Sequence, residues 1–464
     1  MHRMERMALS LYAGLMWAIQ PLLRAKLRRR ARLEPPYAMG VDARFGHYHD
    51  RPSQGWVWVH AVSLGETHAA GILVRQLRTR VPGMRLLLTH GTAAGWLAGA
   101  AILAPGDRQE WLPWDTRDAV ARFVLHFRPA VGLLMETEIW PNLVQACGRQ
   151  QIPLYLVNAR KSLRSFATAN RKRLLAGPAY RGLSGVLAQA SADASKLAAL
   201  GAPVIAVTGN IKFDAHPVPQ QLLLGRAWRR LARGPVLMLA SSREGEEAAF
   251  VQALRAHQLA HGSPTKGAYQ LLIVPRHIQR ADVLTRQLQS AGWSVSRRSQ
   301  WTDRPEPADI WLGDTMGELA LYYALSDVAL LGGSFAPFGG QNLIEAAACA
   351  CPIVLGPHTF NFDEAAQWAL AAGAAKRASG MHDALAQAFD WIEDADALTD
   401  ARKCCLAFTG AHHGATARTA TAVLEHLQAR TLARVAPHPQ AAIRPDIDLG
   451  EALNMPAAHQ AGVT

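Results

Sequence analysis

A glycine-rich segment at residues 333–345 (GSFAPFGGQNLIE) carries the residue types that bind nucleotides. An apolar run precedes it and an alanine-rich run follows it, which predicts a strand, a loop and a helix. Glycines let backbone N–H groups approach an anion closely, and the helix N-terminus adds positive partial charge. Asn342 and Glu345 share one face of that helix, because they lie three residues apart. Since a carboxylate repels phosphate, we expect the phosphate of a nucleotide at the loop and its ribose hydroxyls at Glu345.

Polar clusters follow most of the other predicted strands, which is where open α/β sheets bind ligands. In the first half of the chain they include Glu66, the acidic run at 136–138 and Lys212; in the second half the clearest is Arg276. Each has a simpler explanation when taken alone: Glu66, for example, begins a helix and can satisfy the helix dipole. Their coincidence at strand ends on both sides of one cleft favours a shared active site.

The elements that position these residues alternate between short apolar runs and helical patterns, which predicts two α/β domains with parallel sheets. Strands are predicted at 56–62, 85–89, 130–135, 153–158, 185–188, 204–208, 236–240, 270–274, 310–313, 328–331 and 353–355. Helices are predicted at 67–80, 117–127, 246–261, 280–291 and 317–324. A polar stretch at 214–219 divides the two sets, and the site residues face a cleft between the domains.

The formal net charge of +13 over 464 residues implies an acidic partner. The sequence has no zinc-finger, RNA-recognition or helix-turn-helix signature, so nucleic acid is not expected. A phosphorylated substrate and an anionic membrane surface are the partners that the charge favours. The five cysteines show no metal-ligand spacing, and we predict no metal site.

The N-terminus favours the membrane. Residues 7–23 are almost continuously apolar, and six arginines and lysines follow between 24 and 32. The run is short for a membrane span, so it predicts either a tilted span or a helix in the membrane interface. A buried core helix is the remaining alternative. The basic flank places the main body of the chain on the cytoplasmic side.

Nine motifs in one order give the chain a resemblance to a known family. They are HAVSLGE (60–66), LMETEIWPNL (134–143), NARKSLRS (158–165), GNIKFD (209–214), ASSREGEE (240–247), VPRH (274–277), LGDTMGELALYY (312–323), GGQNLIEA (339–346) and GPHTFNF (356–362). Together they closely resemble the 3-deoxy-D-manno-octulosonic acid (Kdo) transferases of bacterial lipopolysaccharide synthesis. The resemblance extends from the N-terminus to about residue 425.

The resemblance implies a GT-B glycosyltransferase fold, in which two Rossmann-like, doubly wound domains face a cleft behind an N-terminal membrane-anchoring helix. We expect the anchor and its basic flank at 1–33, the acceptor domain at 34–216 and the donor domain at 217–430. Residues 431–464 lack apolar periodicity, which predicts a disordered tail.

The family's donor is CMP-Kdo and its acceptor is the tetraacyl lipid A precursor (lipid IVA). Transfer proceeds with inversion and without a metal or another cofactor, on the cytoplasmic face of the inner membrane.

The resemblance also implies roles for individual residues. Glu66 matches the general base, and Glu136 and Lys212 match positions that stabilise the transition state. The positions that match the CMP-binding segments are Pro275, Arg276, Met316, Gly317, Glu318, Asn342, Leu343, Ile344 and Glu345. The chain departs from the family pattern at 89–95, at Arg243, where histidine is common, and at 278–279.

Two other functions fit parts of the sequence. Nucleotide-sugar 2-epimerases also use two such domains and a glutamate that binds ribose, but they lack a membrane anchor. A non-catalytic, membrane-bound lipid-binding protein would explain the N-terminus and the charge. It would not explain why Glu66, Glu136 and Lys212 occur together.

Overall fold

The computed structural model describes residues 2–261 and 269–435. Residues 1–422 form one compact unit that contains both sheets, and a second unit begins at Val423. The final helix continues to Val435, so the predicted tail at 431–464 lies outside the described residues from residue 436 onward.

The first sheet has seven parallel strands in the order β3-β2-β1-β4-β5-β6-β7. Their bounds are β1 Trp56–Ala61, β2 Arg85–His90, β3 Arg108–Trp111, β4 Val131–Met135, β5 Leu154–Ala159, β6 Gly185–Ala188 and β7 Val204–Val207. Strands β1, β4, β5 and β6 are almost wholly buried, as expected for a parallel sheet covered by helices on both faces.

The second sheet also has seven parallel strands, in the order β10-β11-β9-β8-β12-β13-β14. Their bounds are β8 Val236–Ser242, β9 Gln270–Pro275, β10 Val295–Arg297, β11 Ile310–Leu312, β12 Val328–Leu331, β13 Ile353–Leu355 and β14 Ala375–Arg377. The prediction of two parallel-sheet α/β domains is confirmed. Buried apolar side chains pack against both faces of this sheet in two clusters.

Helices connect the strands and cover the sheets. In the first half they are α1 Arg3–Ala18, α2 Gln20–Ala31, α3 Leu64–Arg80, α4 Ala93–Gly99, α5 Arg117–Phe127, α6 Pro141–Arg149, α7 Leu163–Arg171, α8 Arg173–Arg181, α9 Ser191–Ala199 and α10 Pro219–Arg229. In the second half they are α11 Glu246–His261, α12 Ala281–Ser290, α13 Leu319–Leu325, α14 Leu343–Ala348, α15 Asp363–Ala371, α16 Met381–Glu393, α17 Ala395–Ala411 and α18 Ala415–Val435.

In each sheet one strand is the switch point from which the chain adds strands in both directions, although β10 and β11 exchange places at one edge of the second sheet. In the first sheet, β1 lies between β2 and β4; in the second, β8 lies between β9 and β12. Ligands of doubly wound sheets bind outside the carboxyl ends of the strands at such a switch point. The segments that follow β1, β4, β8 and β12 are therefore the places where the fold positions a site.

All the predicted strands are present, with bounds shifted by at most two residues. The sequence missed three strands, β3, β10 and β14, and each lies at an edge of its sheet. They have only three or four residues, and polar side chains occupy many of their positions. Because an edge strand has one neighbour and a partly exposed face, it lacks the continuous apolar run that marks a central strand.

The N-terminal apolar run at 7–23 is divided between two helices, since α1 ends at Ala18 and α2 begins at Gln20. One side of α1 packs on the first domain: Leu9 is buried, and the carboxylate of Glu5 accepts a hydrogen bond from Arg181. No helix among residues 2–261 and 269–435 is long and apolar enough to cross a membrane. The membrane-anchoring role of this segment stays a prediction.

Candidate active site

Glu66 lies in the first turn of α3, directly after β1. The hydroxyl of Ser63 caps the helix by accepting from the Glu66 amide. The Glu66 carboxylate in turn accepts from the Val62 amide at 2.8 Å and from the Ser63 hydroxyl at 3.0 Å. These reciprocal hydrogen bonds hold the Glu66 carboxylate beside β1, at the switch point of the first sheet.

Burial and, secondly, the negative charge of nearby Glu136 raise the pKa of Glu66 to about 7. The Val62 amide opposes the rise. A carboxyl group with a pKa near neutrality can accept a proton at physiological pH and hold it. The first-turn position alone does not produce this, because a helix N-terminus favours the ionised form and lowers a carboxyl pKa. Glu66 is therefore a carboxyl group that can exchange a proton near neutral pH.

Glu136, after β4, is only 2% exposed and faces two cations. Its carboxylate accepts from the ammonium of Lys212 at 2.5 Å and from the Nε of Arg160 at 2.7 Å. Burial opposes ionisation of Glu136, but the two positive charges outweigh it and hold its pKa below the ordinary value. One carboxylate between two cations leaves this cluster with a net charge of about +1.

The backbone holds both partners in place. Glu136 has a positive φ of 57°, a conformation that costs free energy in a non-glycine residue and often occurs at functional sites. Lys212 lies in a short 3₁₀ segment whose first amide, at Ile211, donates to the side chain of buried Asn158. The side chain of Asn210 caps the same segment by accepting from the Lys212 amide. Lys212 is thereby aimed at Glu136 from the end of β7.

In the second domain, the backbone amides at the start of the glycine-rich loop already donate to a side chain of the protein. Glu246, which is 3% exposed, accepts hydrogen bonds from the amides of Gly333 and Phe335. A phosphate would compete with this carboxylate for the same donors and would be repelled by it. The amides of Gly333 and Phe335 are therefore not free for a phosphate, and phosphate binding by the rest of the loop stays a prediction. Glu246 instead fixes the shape of the loop from the beginning of α11.

Glu345 has the environment of a ligand-binding carboxylate. Among the described residues its side chain has no hydrogen-bond or ion-pair partner, and burial raises its pKa to about 7. Asn342 caps α14 through its side chain, which accepts from the Ile344 amide at 3.2 Å. Gly339 has a φ of +91°, and a Cβ there would lie 2.5 Å from the side chains of the facing loop, so only glycine fits. The loop thus leads to a half-buried carboxyl group that has no hydrogen-bond or ion-pair partner among the described residues.

Arg276 follows Pro275 at the end of β9. Its amide donates to the carbonyl of Ser242, and no carboxylate of the described chain pairs with its guanidinium. Burial and the positive charge of Arg243 lower the pKa of Arg276. Two adjacent guanidinium groups in this position favour an anionic ligand.

The segment at Met316 to Glu318 precedes α13, and its side chains are mostly engaged or exposed. Glu318 accepts from Arg298 at 2.8 Å and from the hydroxyl of Thr315. Gly317 has a φ of +78°, and its carbonyl accepts from Gln221 at 2.7 Å. Met316 is exposed. The segment is therefore held by the protein itself, and its sequence-predicted residues lie beside the end of β11.

Contacts across the cleft bring the two halves together. The guanidinium of Arg160, which holds Glu136, also donates to the carbonyl of Asn361 at 3.2 Å. The ammonium of Lys212 lies 5.4 Å from the ring centroid of Phe362. Near the start of α3, burial and then the positive charge of Arg276 lower the pKa of His68. The residues after β1 and β4 thus face the second half of the chain.

The sequence assigned no role to four residues that complete this arrangement. Arg160 pairs with Glu136, Asn158 holds the Lys212 segment, Glu246 pins the loop, and Arg243 stacks on Phe338 at 4.4 Å from its centroid. Arg160, Asn158 and Glu246 lie within two of the nine motifs. Their partners are far away in sequence, so only the fold reveals their roles.

The part of the chain that the structure describes contains no group of three or more histidine, cysteine, aspartate or glutamate residues able to hold a metal ion. The acidic and basic residues of the cleft pair with one another or stay unpaired, as Glu345 does. The arrangement brings a carboxyl group with a pKa of about 7 near a buried carboxylate that two cations hold.

The chain is similar in sequence to known proteins. The family profile described as 3-deoxy-D-manno-octulosonic-acid transferase (kdotransferase) matches residues 39–215. A 3-deoxy-D-manno-octulosonic acid transferase of Bordetella pertussis is 44% identical over 431 residues, covering 91% of this chain and 100% of that protein.

Solved structures show the likeness of the fold. A glycosyltransferase from Rickettsia africae has a TM-score of 0.53 at 11% identity, covering 81% of this chain and 98% of that one. A putative UDP-N-acetylglucosamine 2-epimerase from Listeria monocytogenes has a TM-score of 0.51 at 14% identity, covering 82% and 97%. Since transferases and epimerases share this architecture, the fold does not separate them. The sequence identity over most of the chain distinguishes the two kinds of enzyme. The chain belongs to the 3-deoxy-D-manno-octulosonic acid transferase family of glycosyltransferases.

Proposed function

We propose that this protein transfers Kdo from CMP-Kdo to a hydroxyl group of the phosphorylated tetraacyl lipid A precursor, with inversion at the anomeric carbon. The observation that carries the proposal is that Glu66, whose pKa is about 7, lies near the buried carboxylate of Glu136, which binds Lys212 and Arg160. Family membership supplies the sugar, and the cleft supplies a base and a place for a leaving phosphate.

In the proposed reaction, Glu66 accepts the proton of the acceptor hydroxyl while the hydroxyl oxygen forms a bond to C2 of Kdo. The bond from C2 to the phosphate oxygen breaks, and its electron pair leaves with CMP. Because the transition state resembles an oxocarbenium ion, a carboxylate of modest basicity is sufficient. The ammonium of Lys212, with Arg160 behind the same carboxylate, stabilises the charge that develops on the departing phosphate.

The donor is proposed to lie against the second domain. Arg276, which has no carboxylate partner among the described residues, pairs with the phosphate or the Kdo carboxylate. Glu345 accepts from the ribose hydroxyls. The remaining proposed CMP contacts are Pro275, Met316, Gly317, Glu318, Asn342, Leu343 and Ile344. The division into domains at 216/217 is kept as part of this proposal.

The N-terminal helix is proposed to hold the enzyme at the cytoplasmic face of the inner membrane by lying in the interface. Met4, Met7, Leu11 and Leu15 are 59–69% exposed and recur at helical spacing on the face of α1 opposite Leu9. The arginines and lysines of α2 follow directly, and they attract anionic headgroups.

Vesicle co-sedimentation tests the membrane proposal. Leu11→Glu/Leu15→Glu should reduce binding to phosphatidylglycerol vesicles by at least tenfold, because it places charge on the apolar stripe. Leu406→Glu is the matched control, since Leu406 is a similarly exposed leucine elsewhere on the protein. Equal binding of both variants would contradict the interfacial role of α1.

Acceptor dependence tests the enzymatic proposal against the epimerase alternative. The purified protein is incubated with CMP-Kdo, with and without the tetraacyl precursor, and separately with UDP-N-acetylglucosamine. We expect CMP release only when the precursor is present, and no 2-epimer. Formation of the epimer without an acceptor would overturn the transferase assignment.

A further inference from the structure

A cavity of about 520 Å³ opens on the first domain beside the ion pairs of Glu136. Its walls come from α1, from the loop between β4 and α6, and from α7, α8 and the segment that precedes them. Thr137 and Trp140 of that loop are neighbours of Glu136, and Lys161 directly follows Arg160. The cavity therefore shares its backbone with the active site, although none of the proposed catalytic residues lines it.

Basic and hydroxyl side chains line the cavity. They are Lys161, Arg164 and Lys172 with Ser162 and Ser165, and no aspartate or glutamate is among the lining residues. Lys161 is only 7% exposed, its ammonium lies 5.3 Å from the centroid of the Tyr180 ring, and the charge of Glu138 acts on it from outside the lining. Burying a lysine is costly unless an anion or an aromatic face compensates it. With three cations against the one carboxylate near Lys161, the lining is suited to a phosphate ester.

Apolar side chains also line the cavity. They are Trp140 and Pro141, where the loop after β4 meets α6, and Leu175, Ala176 and Ala179 of α8. The small alanine side chains leave room along the helix, and the indole supplies a flat apolar surface. A cavity whose lining combines basic, hydroxyl and apolar side chains matches an amphiphile that carries an anionic head. Its volume suits one part of such a molecule, because sites for small ligands span about 300–1,000 Å³.

Tyr12 connects the cavity to the N-terminal helix. It lines the cavity, and its hydroxyl donates to Asp115 at 2.9 Å. The same carboxylate accepts from the amides of Asn142 and Leu143 at the start of α6. One carboxylate thus ties α1, whose outer face is the apolar stripe, to the loop that carries Glu136. The cavity lies between the proposed membrane contact and the proposed chemistry.

We propose that this cavity is the acceptor subsite that binds a phosphate-bearing sugar of the lipid together with the start of one of its acyl chains. This inference rests on the proposed function and adds to it the place where the acceptor is held. The phosphate lies against Lys161, Arg164 and Lys172, and the acyl chain runs along the wall of α8.

The test uses the full chain and steady-state kinetics in detergent micelles. The charge variant is Arg164→Ala/Lys172→Ala, and the filling variant is Ala176→Trp. Arg171→Ala is the matched control, because Arg171 is an exposed arginine of α7 that does not line the cavity. The probes are the bisphosphorylated tetraacyl precursor and its dephosphorylated analogue, each with CMP-Kdo.

The charge variant should raise KM for the phosphorylated precursor about tenfold or more, since each charge-assisted hydrogen bond contributes on the order of a factor of ten. Its kcat and its KM for CMP-Kdo should match those of Arg171→Ala. With the dephosphorylated analogue, the charge variant and the control should behave alike. The filling variant should raise KM for both acceptors.

The outcomes separate this inference from the proposed function. If the wild-type protein transfers no Kdo, the proposed function fails whatever the variants do. If the wild type transfers Kdo and the charge variant shows the same KM as Arg171→Ala, the cavity is not the acceptor subsite. A rise in KM for CMP-Kdo instead would place the donor there and would also overturn the inference.

Discussion

The pH dependence of transfer follows directly from the environment of Glu66. Burial and then the charge of Glu136 raise the pKa of Glu66 to about 7, well above the ordinary value for glutamate. A general base must be deprotonated to act, so activity should be present above the pKa and should fall as the pH drops below it. At pH 6 only roughly a tenth of the enzyme would carry an ionised Glu66, and each further unit should cost about another factor of ten.

The perturbation that isolates this group is Glu66→Gln. Glutamine preserves the size of the side chain and retains an oxygen able to accept from the Val62 amide, but it cannot take up a proton. We expect a loss of about 10²–10⁴ in kcat, the usual contribution of a general base. Binding of CMP should be unchanged, because Glu66 lies in the other domain from Glu345.

The assay is kcat/KM for the acceptor between pH 5.5 and 8.5, with CMP binding measured separately. Glu306→Gln is a matched control, since Glu306 is an exposed glutamate far along the chain from the site residues of the first domain. Wild type and control should share an acid limb with an apparent pKa near 7. Retention of more than a tenth of wild-type kcat by Glu66→Gln would refute the assignment of the base.

Three further predictions concern Lys212, Glu345 and Glu246. Lys212→Met should lower kcat by about 10²-fold or more while leaving CMP binding intact, because it removes the cation proposed to face the leaving phosphate; unchanged turnover in the same assay would contradict that role. Glu345→Gln should raise KM for CMP-Kdo about tenfold with little change in kcat, since it alters hydrogen bonds to the ribose of the bound donor. Glu246→Ala should lower the free energy of unfolding in urea by about 1–3 kcal/mol, because buried amides of the loop lose their acceptor; an unchanged unfolding midpoint would show that the loop does not depend on it.

The central strands and the switch points could be predicted from the sequence because burial on both faces imposes continuous apolar runs. Strands such as β4 have no other plausible environment, and the polar residues that follow them are conspicuous. Edge strands such as β14 carry no such constraint, so their short polar sequences resemble loops. Glu66, Glu136 and Lys212 were found because they stand at the ends of predictable strands.

The pairings within the site could not be predicted. Glu136 and Lys212 are separated by 76 positions, and Glu246 and Gly333 by 87. Sequence spacing reports only neighbours within one element, so it could not show that Glu246 occupies amides that otherwise fit a phosphate. The division of the N-terminal run into two helices could not be predicted for a related reason: counting apolar residues does not reveal the helix break at Ile19 or that Leu9 faces the protein.

The central claim is that this chain joins Kdo to the lipid A precursor, and mass spectrometry of the lipid product tests it most directly. Purified protein is incubated with the tetraacyl precursor and excess CMP-Kdo, and the lipid is extracted. Its mass is compared with the mass of the lipid from a reaction that contains the Glu66→Gln variant. The account predicts precursor that is heavier by one or more whole Kdo residues in the wild-type reaction and unmodified precursor in the variant reaction. Precursor that stays unmodified with wild-type enzyme, or that gains Kdo equally with Glu66→Gln, would contradict it.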